Sequence, residues 1–306
     1  MRTYRLFLIT LLLASLLVSM TIPSLADEAA PNRLTSEDLF GLQYVADVRI
    51  SPDGSRVAYV RAIHDIMLDV VRSNIWLAAA DGGEHKPLLS DTANYSGAEW
   101  APDGKRLAYV AQADGKSQLF VRWVDSGETA MITNLTQSPS SIAWSPDGAQ
   151  IAFTMRVPAE KPSLASPPKK PEGAEWAEPV TVIDAVTYRF DGRGYIAPGF
   201  DHVFVVPAEG GNARQLTSGE FDHSGPLTWS PDGTRIALVS NRDDDWQYQR
   251  SESDLYIVET ATGQLTQLTD FPGRESSPAW SPDGTRIAFE RDDHQGRQYT
   301  ETRLAV

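Results

Sequence analysis

One short phrase recurs five times along this chain, and no other feature restricts the fold as much. The copies are Ile50-Ser51-Pro52-Asp53-Gly54, Trp100-Ala101-Pro102-Asp103-Gly104, Trp144-Ser145-Pro146-Asp147-Gly148, Trp229-Ser230-Pro231-Asp232-Gly233 and Trp280-Ser281-Pro282-Asp283-Gly284. Each is followed, two residues on, by a short apolar run: Val57-Ala58-Tyr59-Val60, Leu107-Ala108-Tyr109-Val110, Ile151-Ala152-Phe153, Ile236-Ala237-Leu238-Val239 and Ile287-Ala288-Phe289. Pro fixes φ near −65° and suits the first corner of a turn. Asp bonds its own backbone there, and Gly accepts the positive φ that closes it. Apolar residues on both sides of such a turn read as the two strands of a hairpin.

Each unit continues in the same order. Third strands are expected at Asn74-Ile75-Trp76-Leu77, Gln118-Leu119-Phe120-Val121, His202 to Val206 and Asp254 to Val258. Gly turns follow them at Asp81-Gly82-Gly83, Ser126-Gly127, Glu209-Gly210-Gly211 and Thr262-Gly263, and a short last strand ends each unit. Four strands in about 45 residues, repeated, is a propeller blade. The expected fold is therefore all-β: a β-propeller of four-stranded blades over residues 41–306, with about five blades and an incomplete last one. Residues 27–40 form a lead-in. The Trp before each turn is expected to pack one sheet on the next and not to line a ligand box.

Two irregularities stand out. The motif prolines at positions 146 and 231 are 85 residues apart, against 44 to 51 elsewhere. The third blade is therefore expected to carry an insertion at about 156–199, Pro-rich and without apolar periodicity, forming an extended mobile loop. Second, only 22 residues follow Gly284. The last blade is then expected to have an unpaired edge, an incomplete ring, and poor stability as a truncated product.

The N-terminus reads as a cleaved signal peptide over residues 1–26. Arg2 and Arg5 precede an uncharged run from Leu6 to Met20, and Ser24-Leu25-Ala26 offers the small residues of a cleavage site. The run is shorter than the ~20 residues of a membrane-spanning helix, so an uncleaved anchor is the lesser alternative. A secreted or periplasmic location follows. The net charge of −14 opposes binding to nucleic acid and to anionic lipid. No cysteine is present, which excludes disulfides, thiolate metal sites and a cysteine nucleophile. No cofactor is expected.

The candidate chemistry is sparse. The histidines (His64, His85, His202, His223, His294) form no zinc-binding spacing. Asp222-His223-Ser224 contains the residue types of a triad but reads as a loop between blades. Asp243, Asp244 and Asp245, beside Trp246 and Tyr248, are the candidate substrate-binding residues, because carboxylates can hold a peptide amino group by charge-assisted hydrogen bonds. They lack the Gly and distal Glu of a calcium loop. The alternative reading for them, and for Asp292-Asp293-His294, is a solvated acidic loop. A propeller enzyme of the lactonase or glycosidase kind needs carboxylates or metal ligands ringing the channel, and the repeats place none on the innermost strands.

The repeats resemble the N-terminal propeller of the prolyl oligopeptidase family of serine peptidases, in its acylaminoacyl-peptidase and dipeptidyl-peptidase branch. Leu34-Thr35-Ser36-Glu37-Asp38-Leu39 fits that branch, as do Tyr188-Arg189-Phe190-Asp191-Gly192-Arg193-Gly194 and Val203 to Gly211. The periplasmic propeller of the Tol system uses similar repeats; the inserted third blade favours the peptidase. The resemblance implies a non-catalytic propeller that gates access to an α/β-hydrolase domain acting on short peptides. No Gly-x-Ser-x-Gly occurs in this chain, so no catalytic residue is assigned to it. Some dipeptidyl peptidases of the family hold the peptide amino terminus with a Glu pair on a propeller helix, a motif not recognisable here. The alternative function is a stand-alone Tol-type binding module acting through protein partners.

Overall fold

A computed structural model describes residues 33–160, 165, 168–177, 180–191, 194–249, 251–292 and 301–306. The signal-peptide reading, and Asp293 and His294, lie outside the described residues. A single helical turn, α1 (Asp38–Gly41), leads in. Five antiparallel sheets follow. Blade 1 holds β1 (Gln43–Ile50), β2 (Arg56–Asp65), β3 (Val70–Ala79) and β4 (His85–Leu89). Blade 2 holds β5 (Tyr95–Trp100), β6 (Arg106–Ala113), β7 (Lys116–Trp123) and β8 (Thr129–Met131). Blade 3 begins with β9 (Pro139–Trp144) and β10 (Gln150–Pro158). After its insertion, where β11 (Arg189–Phe190) pairs with β12 (Gly194–Tyr195), it resumes with β13 (Gly199–Pro207) and β14 (Arg214–Gln215). Blade 4 holds β15 (His223–Trp229), β16 (Arg235–Ser240), β17 (Asp254–Glu259) and β18 (Leu265–Gln267). Blade 5 shows three strands among the described residues: β19 (Arg274–Trp280), β20 (Ile287–Asp292) and β21 (Thr302–Ala305). Among the described residues the chain forms a β-propeller of five blades, the last sheet three-stranded.

The repeated phrase explains the turns atom by atom. Ser51, Ser145, Ser230 and Ser281 donate to the Asp two residues on at 2.5 to 2.6 Å. Each serine hydroxyl also accepts the N–H of the residue five positions on, at or just before the start of the next strand. These bonds, with backbone N–H donors, hold the Asp53, Asp232 and Asp283 carboxyls down at about 2. The glycines close the turn with φ between 66° and 73°, where any Cβ would be strained. Blade 2 has Ala101 in place of serine, and there Asp103 takes the Arg106 guanidinium instead, at 2.8 Å.

The same phrase joins the blades. Trp100 Nε1 donates to Arg49 O, Trp144 to Glu99 O, Trp229 to Ala143 O and Trp280 to Thr228 O, at 3.0 to 3.1 Å. The acceptor is always the residue just before the same motif position in the preceding blade. An arginine of that blade covers the indole in three of the four cases, Arg56 over Trp100, Arg106 over Trp144 and Arg235 over Trp280, at 4.7 to 5.4 Å. In blades 2 to 5 the motif glycine faces the preceding motif's proline ring. The central alanine of the first four apolar runs, Ala58, Ala108, Ala152 and Ala237, is fully buried, and Ala288 of the fifth is half-buried. It stays small so that the next blade can lie flat on it, while its neighbours pack into separate interblade cores.

Every first strand also carries a β-bulge. The register between first and second strands shifts in all five blades. The residues at positive φ there are Asp47, Gly97, Ser141, Gly225 and Ser277. Pro226 and Pro278 follow two of them, where a bulge can spare a ladder N–H. First strands of successive blades pack on one another and share a central cavity of about 620 Å³. Its carboxylates, Asp47 and Glu99, are both tied to Arg49, at 2.9 and 2.6 Å.

Replacing Trp144 by Phe keeps the ring and removes one interblade donor, leaving Glu99 O without its partner. The expected loss is about 1–2 kcal/mol in urea unfolding, whereas Phe at exposed Trp176 should change stability by less than about 0.5 kcal/mol.

Candidate functional site

Strand alternation sorts the loops between two ends of the propeller. The Ser-x-Asp-Gly turns, between first and second strands, share one end with the third-to-fourth-strand turns. The second-to-third-strand loops and the blade-to-blade connections share the other, the loop end. A buried histidine pair and a group of carboxylates with raised pKa lie there.

The blade 3 insertion leaves at Pro158 and returns at Gly199, so its first residues belong to β10 rather than to a loop. Arg156 pins its neck. Its guanidinium donates to Ala197 O at 3.0 Å and to Gly199 O, and lies 3.5 and 3.6 Å from Asp201 and Asp222. Gly199 has φ 135°, and a side chain there would collide with Val157 O. The neck is thus closed by Arg156 and by the tight backbone approach at Gly199. The insertion reaches blade 4 through Val186 N–H, which donates to Gln247 Oε1 at 3.1 Å.

Beside the neck sits a buried histidine pair. His223 opens β15 and is fully buried, not in a loop as the sequence suggested. Its ring lies 5.1 Å from that of His202. Arg242 donates to His223 Nε2 at 2.9 Å, which leaves Nδ1 as the donor to Asp201 O at 3.2 Å. Burial and the adjacent cations push His223 down to about 4, so it stays neutral. His202 is lowered by burial too. The pair is structural and makes no triad with Ser224, which is exposed.

Next to Arg242, the chain turns through Asp243, Asp244 and Asp245, all exposed. Of the three, Asp243 is drawn into a wider acidic group. Burial raises its pKa, and Glu252, Asp245, Asp270 and Asp244 raise it further. Asp254, at the start of β17, is pushed up to about 6 by burial and by Glu275, Asp243, Asp270 and Glu252. Asp245 instead accepts from Gln249 within the turn. Glu275, from β19, is fully buried at the blade 4–blade 5 seam. Thr269 Oγ1 donates to its Oε2, while Oε1 has no hydrogen-bond partner. Burial raises its pKa. Arg291, its cross-strand neighbour, stacks on Phe271 at 4.2 Å with Nε unbonded.

Among the described residues none of these five carboxylates (Asp243, Glu252, Asp254, Asp270, Glu275) forms an ion pair, and no group of three or more His, Asp or Glu could hold a metal. The group concentrates negative charge at the junction of blades 4 and 5, with Arg291 the cation that acts on Glu275. Glu252, Asp254, Asp270 and Glu275 escaped the sequence reading because they are scattered over 24 residues. The signal available was their shared position at loop-end junctions of blades 4 and 5.

The family model described as TolB beta propeller domain matches residues 42–163. The model of the dipeptidyl peptidase IV N-terminal region matches residues 175–275 and 230–294. The chain is 28% identical over 301 residues to dipeptidyl-peptidase 5 of Porphyromonas gingivalis, covering 94% of this chain and 43% of that protein. It is 29% identical over 209 residues to an uncharacterized peptidase, YuxL, of Bacillus subtilis, covering 68% and 31%. The acylaminoacyl peptidase of Pyrococcus horikoshii superposes with a TM-score of 0.62 at 18% identity, covering 89% of this chain and 40% of that one. That likeness shows the propeller fold. The chain spans less than half the length of these curated relatives.

Asp254 also makes stability depend on pH. Its folded pKa of about 6 lies above the unfolded value, so its contribution is full below about pH 4 and is lost as pH rises through 6. Asp254→Asn should therefore raise stability at pH 7.5 by on the order of 1 kcal/mol, allowing for solvent screening, and change little at pH 3.5. Thermal unfolding at the two pH values checks this.

Proposed function

We propose that this chain, an N-terminal propeller of the prolyl oligopeptidase family, is the non-catalytic part of a secreted serine peptidase acting on short peptides. In this reading the loop end faces the peptide path, and the propeller gates access to an α/β-hydrolase domain. The observation that carries the reading is the acidic group of Asp243, Glu252, Asp254, Asp270 and Glu275, none of which forms an ion pair among the described residues. A free peptide amino terminus is a compact cation with three donors, and it would match the exposed carboxylates of this group, Asp243 foremost. The neck of the blade 3 insertion lies on the same end and would limit the size of what enters.

The relatives support the family side of this reading, since both are peptidases by name. The match of residues 42–163 to a TolB propeller favours a second reading, a periplasmic module that binds protein partners. That reading gives the acidic group no particular task. Among the described residues no helix is long and apolar enough to cross a membrane.

Two measurements test the proposal. The chain alone should hydrolyse no dipeptidyl nitroanilide; hydrolysis abolished by a serine-reactive phosphonate would contradict it. In calorimetric titration, a free tripeptide should bind at pH 7.5 and weaken about tenfold at pH 5, as Asp254 takes up its proton. Its N-acetylated form should not bind, and Asp243→Asn, at the exposed member of the group, should weaken the free form. Equal binding of the two peptides would leave the acidic group without this role.

A further inference from the structure

The turn that carries Asp243, Asp244 and Asp245 belongs to blade 4 by sequence, yet both of its sides are fastened to blade 3. It leaves β16 after Ser240 and returns to the sheet at β17. Its internal bonds are short-range. Asp243 N–H donates to Asn241 Oδ1 at 3.1 Å, Trp246 N–H to Asp243 O at 3.1 Å and Tyr248 N–H to Asp245 O at 2.8 Å. Bonds of this kind give the turn its shape but not its place. Of residues 243–249 only Trp246 and Gln247 are half-buried. Those two reach across the seam between the blades. The Trp246 ring lies 6.0 Å from that of Phe200, edge to face at 73°. Gln247 Oε1 accepts the Val186 N–H of the insertion at 3.1 Å.

The other side is tied through Arg242, the residue before Asp243. Its guanidinium donates to His223 Nε2 at 2.9 Å and lies over the Phe221 ring at 4.5 Å. His223 Nδ1 passes the link on to Asp201 O at 3.2 Å. Phe200 and Asp201 are adjacent, and they follow Gly199 in the neck that Arg156 closes. Two consecutive neck residues therefore hold the two sides of the acidic turn. Placement matters here because like charges surround Asp243. Asp244 and Asp245 lie on its own turn, Glu252 precedes β17 and Asp270 follows β18; all four act on it. Arg242, the nearest cation along the chain, is engaged by His223. A turn without outside support would relieve that repulsion by swinging Asp243 into water.

We propose that Trp246 is a positioning residue: through Phe200 it fastens the acidic turn to the neck of the blade 3 insertion and holds Asp243 among the other carboxylates. The insertion, and not the sheet of blade 4, then sets where Asp243 stands. The consequence for peptide binding rests on the reading above, in which Asp243 meets the amino terminus; the fastening itself does not.

The test is a carboxyl 13C NMR titration of the full chain labelled at aspartate, with Asp243→Asn identifying the Asp243 signal. In the unaltered chain Asp243 should titrate above its ordinary value. Trp246→Ala should bring the midpoint back toward that value, as the turn carries Asp243 away from Glu252 and Asp270. Phe200→Ala should do the same, and the two together no more than either alone. Trp246→Phe keeps an aromatic edge and should preserve the raised midpoint. Binding of the free tripeptide at pH 7.5 should weaken about fivefold in the alanine variants and recover with phenylalanine. If Trp246→Ala does not fold, Phe200→Ala carries the test from the other side of the contact. A midpoint that neither alanine variant moves overturns the positioning role, and so does a full shift in Trp246→Phe. An unaltered chain that binds no tripeptide overturns the amino-terminus reading instead, and the titration still decides the fastening.

Discussion

An indole N–H reaching back to a carbonyl of the preceding sheet is the interaction on which the rest of this propeller depends. It repeats four times with nearly constant length. A blade alone has one apolar face on each side and cannot bury either. The indole supplies area, a donor and a fixed register at once. Its N–H would be costly to bury without a partner, so the bond also discriminates against misaligned blades. The arginine over the ring and the small alanine beneath it complete the joint.

The loop end is free to vary because the joints lie elsewhere. Bonds within the Ser-x-Asp-Gly turns and between the motifs hold the inner strands in place. Loops at the opposite end can then carry an insertion, a buried histidine pair and unpaired carboxylates without unsettling the blades. Arg156 makes this separation concrete: it closes the neck of the insertion, so the sheet of blade 3 continues as if the insertion were absent. Arg242 does the corresponding work in blade 4, fixing the His223 tautomer while its neighbour Asp243 faces solvent. Retaining several like charges at one place lowers stability, and Asp254 carries part of that cost.

The blades were legible in the sequence because turn chemistry and alternation are local. Pro-Asp-Gly marks a turn wherever it occurs, and its five repetitions mark the architecture. The Trp positions were legible as packing anchors for the same reason. The acceptor of each indole was not, since it lies about 45 to 86 residues away and is a backbone atom of any residue type. Likewise Asp243 could be found from a run of three aspartates, but Glu275 could not. It is one glutamate among ordinary strand residues, and only the pairing of β19 with β20 and its burial against blade 4 give it its character. His223 was read as part of a loop between blades, but β15 begins at it, and a bulge at Gly225 lets the strand run on past Pro226.

Hydrogen exchange of the eight indole N–H groups, followed by NMR, tests the joint most directly. If these bonds hold the blades together, the indoles of Trp100, Trp144, Trp229 and Trp280 exchange only through global unfolding. Their exchange free energies then equal the unfolding free energy and fall together with denaturant, while exposed Trp176 exchanges freely. If those four exchange as fast as Trp176, or each with its own independent local opening, the indole bonds do not carry the fold and another interaction must.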